Sequence, residues 1–396
     1  DAAVWLARHV GAKILLGTAT PSLETYHNTQ TGKYGYVQLN ERFGGLQLPE
    51  LRVADMRAEV ADRKQQAYFT VPLIEELKAT LERGEQAILF QNRRGYAPSY
   101  RCPTCDWHSE CIHCDVSLTY HKHHNRLRCH YCGYSTSLPE ACPACGDLKL
   151  TLKGYGTEKI EDELKIYLPD ANIGRMDLDT TRGKNAHARL IEQFEEGRLD
   201  ILVGTQMVTK GLDFERVGLV GIISADSLLQ FPEFRAGERA FQLMLQVSGR
   251  AGRKHRRGLV VIQAYNTSHP VLQEVLVGDY AEFARRELHE RLTFDYPPYV
   301  RLIRIQLKHK KPLTADDASR LLASRLKDRL GEIVNGPAEP AVARVRNYYL
   351  RDILIKFDRK PATMRRVKEV LREESTRLQA ETGFSSLRVA IDVDPY

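Results

Sequence analysis

Short apolar runs alternate with amphipathic helical patterns through the first two thirds of the chain. The apolar runs predict strands at Ala12–Gly17, Gln86–Gln91, Ile173–Met176, Asp200–Val203, Val217–Ser224 and Gly258–Gln263, and the helical patterns predict helices at Val71–Arg83, Glu158–Tyr167, Asn185–Glu196 and Arg235–Gln246. Continuous apolar strands between amphipathic helices predict a parallel α/β sheet that is covered on both faces. The mixed stretch from Gly44 to Arg63 is expected to be a connector, and a cysteine-rich segment interrupts the sheet pattern.

The last part of the chain has a different order of elements. The pattern predicts strand Arg301–Lys308, helix Ala315–Gly331, strands Ala341–Tyr348 and Asp352–Phe357, helix Ala362–Glu381 and strand Leu387–Val393. The two central strands are close enough in sequence to form a hairpin. The resulting βαββαβ order is that of the ferredoxin-like split βαβ arrangement. The sequence therefore predicts a separate, small α+β domain.

Charge also sets this last part apart. The chain has 58 Lys and Arg against 51 Asp and Glu, a net charge of +7, and residues 281–396 hold 24 of the basic and 17 of the acidic side chains. The whole excess lies there, which indicates an anionic partner, with nucleic acid as the first candidate. The sequence shows no apolar leader and no apolar run long enough to span a bilayer. We expect a cytoplasmic protein without a membrane partner.

All eight cysteines lie in one segment, as four Cys-x-x-Cys pairs. The pairs are Cys102/Cys105, Cys111/Cys114, Cys129/Cys132 and Cys142/Cys145. Each pair supplies half of a tetrahedral metal site, so the four pairs fit two structural four-cysteine zinc sites. A cytoplasmic chain keeps its thiols reduced, which favours metal over disulfides. The spacing favours a nested arrangement in which the two inner pairs share one zinc and the two outer pairs share the other; pairing of sequence neighbours is the alternative.

The same segment contains six histidines, His108, His113, His121, His123, His124 and His130. Because eight thiolates are enough for two zinc sites, we expect the histidines to face solvent or nucleic-acid bases and not the metal.

Three loops carry residues that suit a phosphate site. They are Gly17–Ser22 (GTATPS), Gly204–Phe214 (GTQMVTKGLDF) and Gln246–Arg253 (QVSGRAGR). Glycine allows close backbone approach, and guanidinium groups are planar donors to phosphate oxygens. Arg250 and Arg253 are three residues apart at a predicted helix end, so they fall on one face. Together they are suited to stabilise charge on a transferred phosphoryl group.

At these loops the chain resembles the superfamily 2 helicases. Gly17–Ser22 is similar to their motif III, Phe90–Pro98 (FQNRRGYAP) to motif IV, Val203–Phe214 to motif V and Gln246–Arg253 to motif VI. The eight cysteines come directly after NRRGY and are followed by GYGTEKIEDEL and then ADSLLQFPEFRAGERAFQLMLQVSGRAGR. This order narrows the resemblance to the bacterial primosomal replication-restart helicases. The resemblance extends over nearly the whole chain, to the final VDPY.

That resemblance implies a RecA-like helicase lobe with an inserted two-zinc module, followed by a domain similar to ribosomal protein S10. The implied division is the end of a first lobe at residues 1–45, the second lobe at residues 46–100 and 150–275, the zinc insertion at residues 101–149 and the C-terminal α+β domain at residues 280–396.

The resemblance further implies ATP-driven 3′→5′ unwinding of branched DNA at stalled forks, followed by primosome assembly for replication restart. ATP and Mg²⁺ would act in the intact protein. Forked and single-stranded DNA, primosome proteins and single-strand DNA-binding protein would be partners. The resemblance implies that Arg250 and Arg253 contact the γ-phosphate, with Gln246 beside them, and that Lys210, Gly211 and Asp213 lie at the nucleotide and DNA side of the cleft. It implies that Thr18 and Thr20 couple the ATP state to lobe movement. It also implies that Arg93 and Arg94 contact the DNA backbone.

Two helicase features are missing from the sequence. It contains no GxxxxGK[ST] phosphate loop and no acidic box for Mg²⁺. The Asp162-Glu163 pair resembles half of an acidic box, but it falls in a helical pattern, so we expect it on a solvated face of a helix. We therefore expect the C-terminal part of a longer protein, inactive alone as an ATPase. The alternative is a non-catalytic, zinc-bearing scaffold that binds nucleic acid. The two arginines argue against a scaffold, because it has no use for a γ-phosphate contact.

Overall fold

The chain folds around a six-stranded parallel sheet and a five-stranded antiparallel sheet, with two small sheets in the cysteine segment. The computed structural model describes residues 2–39, 47–61, 68–91, 99–102, 104–105, 107–121, 125–129, 131–153, 157–177, 185–205, 214–229, 233–252 and 257–395.

Twelve α-helices, one short 3-10 helix at Gly331–Ile333 and sixteen strands are described in these residues, and the α-helices and strands are numbered in chain order. They are α1 Ala2–His9, α2 Leu23–Gln30, β1 Glu50–Asp55, α3 Met56–Ala61, α4 Val71–Glu82, β2 Gln86–Phe90, β3 Ser99–Arg101, β4 Thr119–His121, β5 Arg126–Arg128, β6 Ser135–Ser137, β7 Thr151–Lys153, α5 Thr157–Tyr167, β8 Ile173–Met176, α6 Ala186–Glu195, β9 Ile201–Gly204, β10 Val217–Ile222, α7 Asp226–Leu229, α8 Ala236–Ser248, β11 Leu259–Ala264, α9 Pro270–Val277, α10 Tyr280–Thr293, β12 Arg301–His309, α11 Pro312–Leu330, β13 Val334–Ala338, β14 Arg344–Val345, β15 Tyr348–Phe357, α12 Pro361–Ala380 and β16 Arg388–Val393.

The parallel sheet has the order β1-β11-β10-β2-β9-β8. Side chains of a strand point alternately to the two faces, and along β2 the side chains of Ile88 and Phe90 pack into one apolar cluster while Ala87 and Leu89 pack into another. Helices α8 and α10 contribute to the first cluster, and α4 and α5 to the second. The predicted parallel sheet with both faces covered is confirmed.

Two predictions in the first third of the chain are wrong. Residues 12–17 form no strand, and the Leu15 side chain is 96% exposed. A strand needs a neighbour to satisfy its backbone groups, and no described strand pairs with this run. The predicted connector at 44–63 contains β1, which pairs with β11 along its full length from Glu50 to Asp55. An edge strand is half polar, so its composition resembles that of a loop.

The cysteine segment is connected to the rest of the chain through a short stem of two paired strands. Strands β3 and β7 pair antiparallel, with Ser99 opposite Lys153 and Arg101 opposite Thr151. Between them, β4, β5 and β6 form a three-stranded sheet. The apolar side chains beneath that sheet are few, Leu118 and Leu127 among them, and they pack against cysteines. A core this small needs another source of stability, such as metal.

The last sheet has the order β13-β15-β12-β16, with every neighbouring pair antiparallel and β14 added to one end of β15. This is the predicted ferredoxin-like order, and helices α11 and α12 pack together on the sheet through its apolar cluster. The predicted bounds of the central hairpin are wrong. Residues 348–357 are one continuous strand, which pairs with β12 on one side and with β13 and the two-residue strand β14 on the other.

Helices α9 and α10 join the two large sheets. Phe283 of α10 stacks on Phe241 of α8 with ring centroids 4.0 Å apart, so α10 is packed onto the lobe. Among the residues with described structure, no helix is both long and apolar enough to cross a bilayer.

Candidate functional site

The eight cysteines form two separate clusters. The first cluster contains Cys102, Cys105, Cys142 and Cys145, and the second contains Cys111, Cys114, Cys129 and Cys132. Within each cluster all four sulfurs lie within 4.8 Å of one another. The cysteines are thus grouped in the nested arrangement and not as sequence neighbours. We call the two clusters the first and second zinc sites.

Sulfur geometry tests whether zinc fits these sites. A tetrahedral zinc with Zn–S bonds of about 2.3 Å requires sulfurs about 3.8 Å apart. The Cys102–Cys145 and Cys105–Cys142 sulfur pairs are each 3.6 Å apart, and the Cys111–Cys132 pair is 3.5 Å apart. The four ligand positions are all filled by thiols, which is the donor set of a structural site with no open position for catalysis. Both clusters therefore fit zinc in a structural role.

Backbone amides also point at the sulfurs of the second zinc site. The His113 amide donates to Cys111 Sγ at 3.4 Å, and the Tyr134 amide donates to Cys132 Sγ at 3.4 Å. Burial raises the pKa of the Cys111 thiol to about 12. Zinc binding must displace that proton, so affinity at this site falls as pH falls.

The histidines of the segment are absent from both clusters as far as their side chains are described. His108 Nε2 lies 2.9 Å from Glu110 Oε1, and His113 Nδ1 lies 3.1 Å from Asn347 Oδ1 of the last domain. His113 therefore meets another part of the chain, which the sequence did not predict. The side chains of His121, His123, His124 and His130 lie outside the described residues.

Several predicted residues of the helicase-like loops also lie outside the described residues. These are Arg93, Arg94, Lys210, Gly211, Asp213 and Arg253. The strands that lead to the first five are described: β2 and β9 are neighbours in the parallel sheet, and their last residues Phe90 and Gly204 are opposite each other. Carboxyl ends of neighbouring parallel strands share one edge of a sheet, which is where ligands bind in open α/β sheets.

Arg250 and Gln246 are placed by α8, which ends at Ser248. The Gly252 amide donates to the Val217 carbonyl at 2.9 Å, so the loop after α8 lies at the amino ends of the strands. Gly258 lies directly against this loop. A Cβ there would come within 2.4 Å of the Ala251 carbonyl carbon, and only glycine permits that approach.

Helix α8 also holds the loop that contains Thr18 and Thr20. Gln242 Nε2 donates to the Pro21 carbonyl at 3.1 Å, and Thr18 Oγ1 accepts from the Thr20 amide at 3.2 Å. Gln242 and Gln246 are four residues apart, so they lie on one face of α8, about 6 Å apart along its axis. The helix thus connects the Thr18–Thr20 loop directly to the Gln246 and Arg250 end.

A cluster of buried charged side chains also holds α8 against the chain that follows Thr20, and no local sequence pattern predicts it. Glu238 of α8 is 4% exposed, and its Oε2 lies 2.6 Å from Nη2 of Arg291, which is 2% exposed. Glu24 of α2 accepts from Arg235 Nη1 at 2.5 Å and from Arg291 Nη1 at 3.1 Å. Glu238 Oε1 also accepts from the Leu23 amide at 3.0 Å. The FRAGER sequence contains two of these charges, which lie 3.6 Å from each other, but their other partners are more than 50 residues away.

The carboxyl of Glu163 is partly buried and does not lie on the solvated helix face that the sequence predicted. Burial raises the pKa of its carboxyl to about 7, against the lowering effects of Lys159 and the Tyr68 amide. Its Oε2 atom is buried and has no hydrogen-bond partner among the described residues. The helix presents this carboxyl inward because Ile160 and Leu164, its neighbours, are in the apolar cluster beneath α5.

Three family models match parts of the chain. "Primosomal protein N C-terminal domain" matches residues 293–396, "PriA DNA helicase Cys-rich region (CRR) domain" matches residues 111–136, and "Helicase conserved C-terminal domain" matches residues 155–255. Each falls on one of the units described above: the antiparallel sheet, the cysteine segment and the parallel sheet.

Curated relatives match the chain along its whole length. Replication restart protein PriA of Bacillus subtilis is 38% identical over 398 residues, with 100% of this chain and 49% of the relative covered. The PriA protein of Haemophilus influenzae is 37% identical over 400 residues, covering 100% and 53%. The PriA protein of Synechocystis is 38% identical over 395 residues, covering 96% and 46%. The chain spans about half the length of these relatives. With its cysteine clusters, its parallel sheet and its last domain all matched, the chain is homologous over its whole length to replication restart protein PriA and corresponds to the C-terminal part of that protein.

Proposed function

We propose that this chain is the C-terminal part of an ATP-dependent 3′→5′ DNA helicase that recognises and remodels stalled replication forks and initiates primosome assembly. The observation that carries the proposal is the direct link, through α8, between the Thr18–Thr20 loop and the Arg250 end of the helix. Two loops similar to helicase motifs III and VI are joined by one rigid element, as a motor that couples nucleotide state to movement requires. Similarity to PriA proteins along the whole chain supports the same function.

In this proposal Arg250 and Arg253 contact the γ-phosphate of ATP, with Gln246 beside them. Planar guanidinium groups aimed at a transferred phosphoryl group stabilise its charge. Lys210, Gly211 and Asp213 belong to the nucleotide and DNA side of the cleft. ATP and Mg²⁺ act in the longer protein, whose phosphate loop and acidic box are not part of this sequence.

Thr18 and Thr20 would report the nucleotide state to the rest of the lobe. Gln242 binds the backbone just after Thr20, and Glu238 binds the Leu23 amide. A shift of this loop is therefore transmitted to α8 without an intermediate, because both contacts are direct hydrogen bonds.

The DNA partner would be forked and single-stranded DNA. Arg93 and Arg94 would hold the DNA backbone, and the basic last domain would add phosphate contacts. The two zinc sites would stabilise a module used at the fork and by partner proteins, among them primosome proteins and single-strand DNA-binding protein. The proposed place of action is the cytoplasm.

The proposed domain division keeps the boundaries that the sequence suggested. Residues 1–45 would be the end of a first helicase lobe, residues 46–100 and 150–275 the second lobe, residues 101–149 the zinc insertion and residues 280–396 the C-terminal domain. The stem between β3 and β7 supports an insertion at this place.

Arg250→Ala, placed in the longer protein, tests the proposal. We expect DNA-stimulated ATP hydrolysis to fall by about 10³-fold or more, which is the range for loss of an arginine finger. Binding of forked DNA, measured by fluorescence anisotropy, should change less than about twofold. The 396-residue chain alone should bind the fork and hydrolyse no ATP.

Arg198→Ala is the matched control, because Arg198 pairs with Glu196 at the surface with 56% of its side chain exposed. Unchanged hydrolysis in Arg250→Ala would contradict the γ-phosphate role and favour the scaffold alternative. Loss of hydrolysis and fork binding together would indicate a folding defect, which circular dichroism of the variant would reveal.

A further inference from the structure

The tip of one hairpin in the last domain lies on the second zinc site. We call residues 344–349, the β14–β15 turn with its flanks, the docking hairpin. The Asp115 amide donates to the Arg344 carbonyl at 2.9 Å, and the Asn347 amide donates to the His113 carbonyl at 2.7 Å. These two backbone bonds join parts of the chain that are more than 200 residues apart.

Side chains strengthen the same contact. Arg344 donates to Asp115 Oδ1 at 2.8 Å and to the Ile112 carbonyl at 3.2 Å. Arg346 Nε donates to the Tyr131 carbonyl at 3.0 Å. Residues 112 and 131 lie inside the two Cys-x-x-Cys loops of the second zinc site, so each arginine holds one of its two metal-binding loops.

One contact reaches a metal-binding sulfur itself. The Arg346 amide donates to Cys114 Sγ at 3.1 Å. Val345, the preceding residue, packs against the cluster that contains Cys111, Cys114 and Cys129. A zinc held by four thiolates carries a net negative charge, so an N–H donor and two guanidinium groups at this position stabilise the loaded site.

The turn of the docking hairpin has a sequence that its own conformation does not favour. Arg346 and Asn347 have φ values of 52° and 60°, both positive. A two-residue turn of this kind prefers Asn-Gly, and arginine in a left-handed conformation has a steric cost. The arginine is explained by what it touches, since its backbone binds Cys114 and its side chain binds the Tyr131 loop.

The first zinc site differs from the second in the origin of the groups that contact its sulfurs. The described contacts of its sulfurs stay within the site, between Cys102 and Cys145 and between Cys105 and Cys142. Only the second site receives a described donor from another domain.

We propose that the docking hairpin is an integral part of the second zinc site, so that metal at this site fastens the C-terminal domain to the zinc module. Without metal, the two Cys-x-x-Cys loops lose the geometry that the hairpin binds, and the two parts separate. The zinc-hairpin proposal goes beyond the proposed helicase function and does not depend on ATP or DNA. Each of the two proposals can therefore fail without the other.

Zinc release gives the first test. In chain carrying Cys102→Ser and Cys105→Ser, only the second site retains four thiols, and a chromogenic chelator follows the loss of its zinc. We expect Arg344→Ala with Arg346→Asn and Asn347→Gly to release zinc about tenfold faster or more, as for other lost outer-shell partners. This variant gives the turn the Asn-Gly sequence it prefers, so the hairpin itself stays folded.

Arg320→Ala with Lys327→Ala is the matched control, because both side chains are exposed on α11 and the same number of positive charges is removed. Equal release rates for the hairpin variant and this control would overturn the proposal. Faster release in the hairpin variant alone supports it.

Hydrogen exchange of the unmodified chain gives a second test that needs no substitution. With two zincs bound, the amides of Asp115, Arg346 and Asn347 should exchange slowly. After chelation they should lose protection, while the amides of β12 in the centre of the antiparallel sheet stay protected. Retained protection at Arg346 and Asn347 after complete zinc removal would show that the hairpin docks without metal, and the proposal would be wrong.

Discussion

Among single residues, Glu163 makes the sharpest prediction about pH. Its carboxyl has a pKa raised from 4.5 to about 7 by burial, so the folded protein holds a proton there that the unfolded chain has released. Stability therefore falls as pH rises from about 4.5 to about 7 and is flat above that window. Glu163→Gln removes the charge and should raise the free energy of unfolding at pH 8, by about 1 kcal/mol after allowance for solvent screening.

Thermal unfolding at pH 5 and pH 8 would check this. The stabilisation of Glu163→Gln over the original chain should be larger at pH 8 than at pH 5. Asp162→Asn on the same helix is the control, since Asp162 is exposed. A difference that is independent of pH would mean that Glu163 is not buried as described.

At the scale of elements, the position of α8 depends on the buried cluster of Glu24, Arg235, Glu238 and Arg291. Glu238→Gln keeps the size of the side chain and leaves two buried arginines with one carboxylate. Removing one partner of a buried ion pair costs about 3–5 kcal/mol. We expect the melting temperature of the lobe to fall by about 6 °C or more.

Glu290→Gln is the control for this change, because Glu290 pairs with Arg286 with 54% of its side chain exposed. It should shift the melting temperature by less than about 2 °C. In the longer protein, Glu238→Gln should also weaken the coupling between DNA binding and ATP hydrolysis. An unchanged melting temperature would mean that the cluster does not fix α8.

At the scale of the whole molecule, the uneven charge predicts a strong effect of salt on DNA binding. The excess of seven positive charges falls entirely within residues 281–396. Binding through phosphate contacts releases counterions, so affinity for single-stranded or forked DNA should fall at least about tenfold between 50 and 200 mM salt. Titration of labelled DNA at several salt concentrations measures the slope.

Helix α12 offers a matched pair of variants for that experiment. Arg365, Arg372 and Glu369 are all exposed on it. Arg365→Gln with Arg372→Gln should weaken binding and reduce the slope, whereas Glu369→Gln should not weaken binding. A slope near zero for the original chain would remove DNA as the partner of this domain.

The sequence predicted the features that depend on residue type and local period. The four Cys-x-x-Cys pairs predicted two metal clusters because a thiolate pair two residues apart is a local unit. Apolar runs such as β2 and β9 predicted buried parallel strands, since strands with both faces covered need no polar alternation. The βαββαβ order predicted the antiparallel sheet, although the bounds of β13 to β15 were misplaced.

Only the tertiary structure decided which distant residues meet. Edge strand β1 and the buried state of Glu163 depend on neighbours that local composition does not encode. The same is true of Arg291 against Glu238 and of Arg346 against Cys114, where the partners are 53 and 232 residues apart. By itself the sequence determined the metal ligands and the class of fold, because these follow from residue type and local period, whereas the roles of the helicase-like loops stay predictions from the resemblance. The packing of the chain determined how they are connected, because a contact between distant residues exists only once the elements between them are in place.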